Sequence, residues 1–144
     1  VEVDAWLERE RQQGVDTLGF YAGFSRRVAQ LRDDLRGLLA ELKAAGERVV
    51  GYGAAAKAAT LLGYAGIGGE TLDYVVDRNP FKHGRFLGGN HLAIRPVEDL
   101  EADRPEVVLI LAWNFADEIL AQLDGLRRSG TRFILPIPDV RVIE

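Results

Sequence analysis

The segment that most constrains the fold is the apolar run Arg48-Val49-Val50-Gly51-Tyr52, which passes straight into the small-residue turn Gly53-Ala54-Ala55-Ala56 and then into a helical pattern reaching Tyr64. A strand this apolar needs cover on both faces, and a glycine turn opening a helix lets that helix return over the sheet. The texture repeats downstream. Leu72-Asp73-Tyr74-Val75-Val76 reads as a second strand, and His91-Leu92-Ala93-Ile94 as a short third one before Pro96. Val107-Val108-Leu109-Ile110-Leu111 is the most apolar strand and leads into a helix over residues 115–128. Thr131-Arg132-Phe133-Ile134-Leu135 is the fifth, closed by Pro136 and Pro138. The pattern predicts an α/β, Rossmann-like, doubly wound and mainly parallel sheet of about five strands in the order 3-2-1-4-5.

A charged helical segment, residues 1–46, precedes this unit, which occupies residues 47–144. Leu31, Leu35, Leu38 and Leu42 recur at helical spacing, with Val28 and Phe24 extending the stripe backwards. Gly46 stands where a helix stop is expected. The spacing predicts one long helix over residues 17–45, separated by Gly14 from a short one over residues 4–13. Leu18, Phe20, Tyr21 and Leu39 fall on a second face that another protein surface would cover.

Composition narrows the functional classes. With 18 Lys and Arg against 22 Asp and Glu, the net charge of -4 offers no basic excess for nucleic acid, so an anionic ligand must be met locally. The absence of cysteine excludes disulfides and thiolate metal sites, and two histidines cannot build a zinc cage. No apolar run approaches the roughly 18 to 20 residues of a membrane span. The acidic opening Val1-Glu2-Val3-Asp4 is unlike a signal peptide, so a cytoplasmic location is expected. The lack of methionine, even at position 1, suggests a piece of a longer chain.

Gly51-Tyr52-Gly53-Ala54-Ala55-Ala56-Lys57 is the strongest chemical signal. Small residues let backbone N–H groups approach a diphosphate, the helix start adds unpaired donors, and Lys57 in the first turn adds a point charge. Thr60, one turn on, offers a hydroxyl. Ala56 stands where a dinucleotide fingerprint has its third glycine, and Ala58 follows Lys57 where a P-loop has Ser or Thr. The plainer alternative is that the small residues only allow close helix packing.

Asp77 lies 24 positions beyond Gly53, where dinucleotide folds place the acid that accepts ribose hydroxyls. Arg78, Asn79, Lys82 and His83 make the following loop able to meet a ribose or a phosphate. Equally, Asp77-Arg78-Asn79-Pro80 is a turn sequence whose Asp and Asn bond their own backbone. Trp113-Asn114-Phe115, with Asp117 and Glu118 behind, ends the apolar strand beside the glycine turn. A ring there can stack on a base or sugar and Asn114 can hydrogen-bond it. In the alternative, Phe115 is core and Asn114 caps the helix. His91 reads as a strand-entry residue, and neither Ser25 nor Ser129 sits on a nucleophile elbow. No catalytic set and no metal set emerges.

Taken together, the glycine turn, Val75-Val76-Asp77-Arg78-Asn79-Pro80-Phe81-Lys82-His83-Gly84-Arg85, Trp113-Asn114-Phe115-Ala116-Asp117-Glu118-Ile119 and Phe133-Ile134-Leu135-Pro136-Ile137-Pro138 resemble the C-terminal domain of sugar C-methyltransferases along nearly the whole chain. Ala58-Ala59 departs from the family's frequent Gly-Asn, and Asn90-His91-Leu92-Ala93 from its Thr-His-Ile-Pro. The resemblance implies a partner to two further domains, a zinc-binding one and a central methyltransferase domain holding S-adenosylmethionine, with no cofactor held here. It implies a nucleotide-linked sugar as ligand, with Tyr52, Gly53, Ala55 and Lys57 at the diphosphate. Asp77, Arg78, Asn79 and Lys82 are then expected at the nucleotide or sugar, and Trp113 and Asn114 at the crevice. Two rival expectations stand beside it: an NAD(P)-binding oxidoreductase or redox-sensor domain, and a structural domain without ligand whose long helix docks or dimerises.

Overall fold

The computed structural model describes residues 2–144. Three helices open the chain: α1 (Glu2–Gln13), α2 (Leu18–Ala22) and α3 (Phe24–Ala44). Gly14, at φ +72°, divides α1 from α2 as expected. The single helix expected over residues 17–45 is instead broken at Gly23. Glycine is a weak helix former, and Gly23 sits at φ -89° and ψ -10°, where its carbonyl accepts the first α3 bond from Arg27 N–H at 3.1 Å.

The remainder alternates β1 (Val49–Tyr52), α4 (Ala56–Ala65), β2 (Val75–Val76), β3 (Ile94–Arg95), α5 (Asp99–Asp103), β4 (Val107–Ile110), α6 (Ala116–Gln122), α7 (Asp124–Arg128), β5 (Arg132–Leu135) and β6 (Arg141–Ile143). The sheet order is β3-β2-β1-β4-β5-β6. All pairings are parallel except β5 with β6. The order 3-2-1-4-5 therefore holds, with a sixth strand added. After Pro136 and Pro138 the chain turns back, and Val142 pairs with Ile134 along the edge.

Two further elements differ from expectation. His91 is not in a strand: it adopts φ +55°, and its N–H donates to the Leu87 carbonyl at 3.2 Å. Gly88-Gly89-Asn90 carries a local hairpin closed by Leu87 N–H to Leu92 O at 2.8 Å, and the strand begins only at Ile94. The helix expected over residues 115–128 is divided at Leu123, which takes φ -98° and ψ 17° and buries its side chain. Asp124-Gly125, both poor helix formers, follow it.

Strand alternation sorts the core into two layers. Val107 and Leu109 of β4 face α3 and α4, meeting Leu35, Leu39, Leu42 and Leu62. Val108 and Ile110 face the other way, toward Leu100, Ile119, Leu123 and Leu126 of α5, α6 and the α7 region. Leu39, expected on an exposed second face, is buried, whereas Leu18, Phe20 and Tyr21 are exposed. The α3 stripe is rotated accordingly: Leu31 and Leu38 are only partly buried, and Phe24 is exposed. α1 buries no residue.

Candidate ligand crevice at the switch point

The carboxyl ends of β1 and β4 lie side by side where the connection order reverses, the place at which open α/β sheets leave a crevice. Here that crevice has a volume of about 390 Å³ and is lined by Tyr52, Gly53, Ala55, Asp77, Arg78, Ala112, Phe115, Glu118 and Ile119. Its floor depends on glycine. Gly53 sits at φ +101°, and a Cβ there would lie 2.7 Å from the Ala112 Cβ. No other residue lets the turn pass so close to β4. At Gly51 an added Cβ would meet Leu111 Cδ1 at 2.9 Å, so the sheet itself fills that space.

One wall is a knot around Asp77. Its Oδ2 accepts from Ala54 N–H at 2.8 Å and from Lys82 Nζ at 2.9 Å, while Oδ1 accepts from Asn79 N–H at 2.9 Å. Lys82 Nζ also donates to the Ala54 carbonyl at 2.8 Å. Burial pushes the Asp77 carboxyl up, but Lys82 and the two amides outweigh it and hold the group below its ordinary value. Asn79 Oδ1 accepts from Phe81 N–H at 3.0 Å, ahead of a 3-10 turn, and His83 Nε2 lies 2.7 Å from the Asp77 carbonyl. Of the two expectations for residues 77–80, the self-bonded turn is the arrangement present. The Asp77 oxygens and the Lys82 ammonium thus have partners within the chain, while Asp77 still lines the crevice.

Lys57 also finds its partners within the chain, on the segment after β4. It projects from the first turn of α4 across the switch point and donates to Asn114 Oδ1. Its ammonium lies 4.5 Å from the centroid of the Trp113 ring and 5.9 Å from that of Phe115, within cation–π range. The first N–H groups of α4 have no intrahelical acceptor, so Ala56 and Lys57 offer amides beside the Gly53 turn. Asn114 makes no helix cap, and Phe115 is exposed rather than core. Thr60 turns its hydroxyl back to the Ala56 carbonyl at 3.2 Å.

The remaining wall is the face of α6 and the turn before it. Phe115, Glu118, Ile119 and Gln122 recur at i, i+3, i+4 and i+7, and this spacing turns them to one side. The Tyr52 hydroxyl donates to Gln122 Oε1 at 3.0 Å, and its phenol is raised by burial above all, with Arg78 opposing and Asp77 and Glu118 adding to the rise. Arg78 Nη1 meets Glu118 Oε1 at 2.8 Å. Glu118 and Gln122 carried no assigned role in the sequence, although their shared helical face was readable there.

A larger hollow of about 1030 Å³ lies between α3 and the segment after β5, beside Val28, Leu31, Leu38, Ile137 and Val140. Asp33, Asp34, Glu41 and Asp139 border it against Arg27 alone, an electrostatic setting that repels anions. Among the described residues, no group of three or more His, Cys, Asp or Glu converges to hold a metal ion, and no helix is long and apolar enough to cross a membrane.

The fold and crevice define a Rossmann-like α/β domain with a small-residue turn beneath a lysine-bearing helix. Residues 1–138 match the C-methyltransferase C-terminal domain, and the chain belongs to that family. It is 36% identical over 137 residues to the C-methyltransferase NovU of Streptomyces niveus. That match covers 95% of this chain and 33% of NovU, so the chain spans about a third of its curated relative's length.

Proposed function

We propose that this chain is the substrate-holding domain of an S-adenosylmethionine-dependent C-methyltransferase, and that its crevice takes the diphosphate of a nucleotide-linked sugar. The observation that carries this reading is the placement of Lys57, at the amide-rich start of α4 next to the Gly53 turn, with its ammonium at Asn114 and Trp113 on the segment after β4. Helix-start amides and a cation together favour oxyanions. The exposed Phe115 ring adjoining that charge offers a face for a base or sugar. Gly53 and Ala55 form the floor, Tyr52 a side, and Arg78 brings a second cation. Asp77, Asn79 and Lys82 act by holding the turn.

S-adenosylmethionine supplies the methyl group in such an enzyme, and its site is assigned to the rest of that enzyme. The zinc-binding and methyl-transferring parts belong to the rest of an enzyme of the relative's length, and a cytoplasmic location goes with the cysteine-free sequence.

Calorimetric titration of the intact protein with thymidine diphosphate tests the reading. Lys57→Ala is expected to weaken binding about tenfold, the scale of one charge-assisted hydrogen bond, with S-adenosylmethionine affinity unchanged. Silence with thymidine diphosphate sinks the assignment, and unchanged affinity removes Lys57 from it.

A second role is favoured by the bare helices. Val3, Trp6 and Leu7 share an exposed side of α1, with Leu18, Phe20 and Tyr21 exposed beyond it. That surface is read as the seat of the enzyme's other domains. Trp6→Glu is then expected to speed proteolysis of the intact protein between domains. An unchanged digestion pattern refutes this, and a dimer closed through the same face assigns it to a second copy.

A further inference from the structure

We infer that Glu118 sets the anion affinity of the crevice: it is an internal competitor that occupies Arg78 until a polyanionic ligand displaces it. This rests on the crevice being a diphosphate site. Arg78 leaves the end of β2 and Glu118 stands in the first turn of α6, so their contact bridges two walls of the crevice. Both side chains line it together with Gly53 and Ala55.

The other carboxylate lining the crevice, Asp77, is buried among its three donors and is neutralised by Lys82. Glu118 is different: its side chain is 63% exposed and that of Arg78 64%. Two long, solvated side chains in one ion pair hold each other weakly, by a factor of roughly two to five in an equilibrium. An uncharged sugar provides nothing to break that contact. A diphosphate seated on the Gly53 turn attracts the guanidinium, which matches phosphate geometry in a bidentate fork, and repels the carboxylate. Glu118 thereby lowers the affinity of the crevice for an anionic head, and Arg78 becomes a ligand contact only once such a head is present.

The probe is inorganic pyrophosphate, titrated into the intact protein and followed by NMR shifts of the Gly53 and Ala55 amides. Glu118→Gln keeps the shape and removes the charge, and it is expected to tighten binding two- to fivefold; Glu118→Ala should act in the same direction. Arg78→Gln should weaken binding, and by a larger factor in the Glu118→Gln background, where the guanidinium is already released. Weaker binding in both Glu118 variants would make that carboxylate a direct ligand contact and overturn the inference, as would no change. If Lys57→Ala weakens pyrophosphate while the Glu118 variants do not tighten it, the crevice reading stands and this inference falls. If the wild-type protein ignores pyrophosphate, both fall.

Discussion

Asp77→Ala removes the acceptor shared by Ala54 N–H, Asn79 N–H and Lys82 Nζ. The three donors do not suffer equally. Asn79 is exposed and finds water, and Lys82, about one-third exposed, can swing outward. Ala54 is buried, so its amide loses its acceptor, at about 1–3 kcal/mol. Adding the lost charge-assisted bond from Lys82 brings the destabilisation to roughly 2–4 kcal/mol, or a fall in Tm of about 6–12 °C for a domain of this size. The pH dependence supplies a second readout. Asp77 is held below its ordinary value, since Lys82 and the amides outweigh burial. A carboxylate depressed in the folded state contributes stability in full above its unfolded value, about 3.9, and loses it as pH falls through the folded one. The gap between wild type and Asp77→Ala should thus be constant from pH 7 to 5 and narrow at pH 3. Thermal unfolding followed by circular dichroism measures both. A loss under about 1 kcal/mol, or a gap as wide at pH 3 as at pH 7, would refute the reasoning.

Gly53→Ala is expected to cost more than about 2 kcal/mol, because it combines a positive φ with a Cβ 2.7 Å from the Ala112 Cβ. Denaturant unfolding checks it, and a wild-type midpoint contradicts the close approach. The same substitution at Gly63, helical and with nothing within 4 Å of an added Cβ, should stabilise by about 0.5–1 kcal/mol. A loss of stability there would mean that α4 is more tightly packed than described.

Strand order was legible because each apolar run is long enough to be covered on both faces, and because right-handed crossovers leave few arrangements. β6 was not: Arg141-Val142-Ile143 is short and largely exposed, and what makes it a strand is pairing with β5. The helix breaks at Gly23 and Leu123 are likewise decisions of backbone angle and burial that apolar spacing does not encode. In the crevice, the meeting of Lys57 with Trp113 and Asn114 follows from strand adjacency alone, since both segments leave the sheet at neighbouring carboxyl ends. The fate of Asp77 does not. Spacing allowed a ribose acceptor and a turn alike, and the turn that forms is held by an amide 23 residues upstream and by the reach of a lysine five residues downstream. Glu118 went unassigned because its counterion lies 40 residues away, on a different wall.

Lys82 is bonded to both the Ala54 carbonyl and the Asp77 carboxylate, which makes the first turn and the second loop mechanically one piece. An arriving molecule therefore meets a base that is already rigid, and little binding energy is lost in ordering it. Whatever adjustment accompanies capture falls instead to the solvated side chains opposite, so exchange broadening should be found around residues 115–122 and be absent at residue 54.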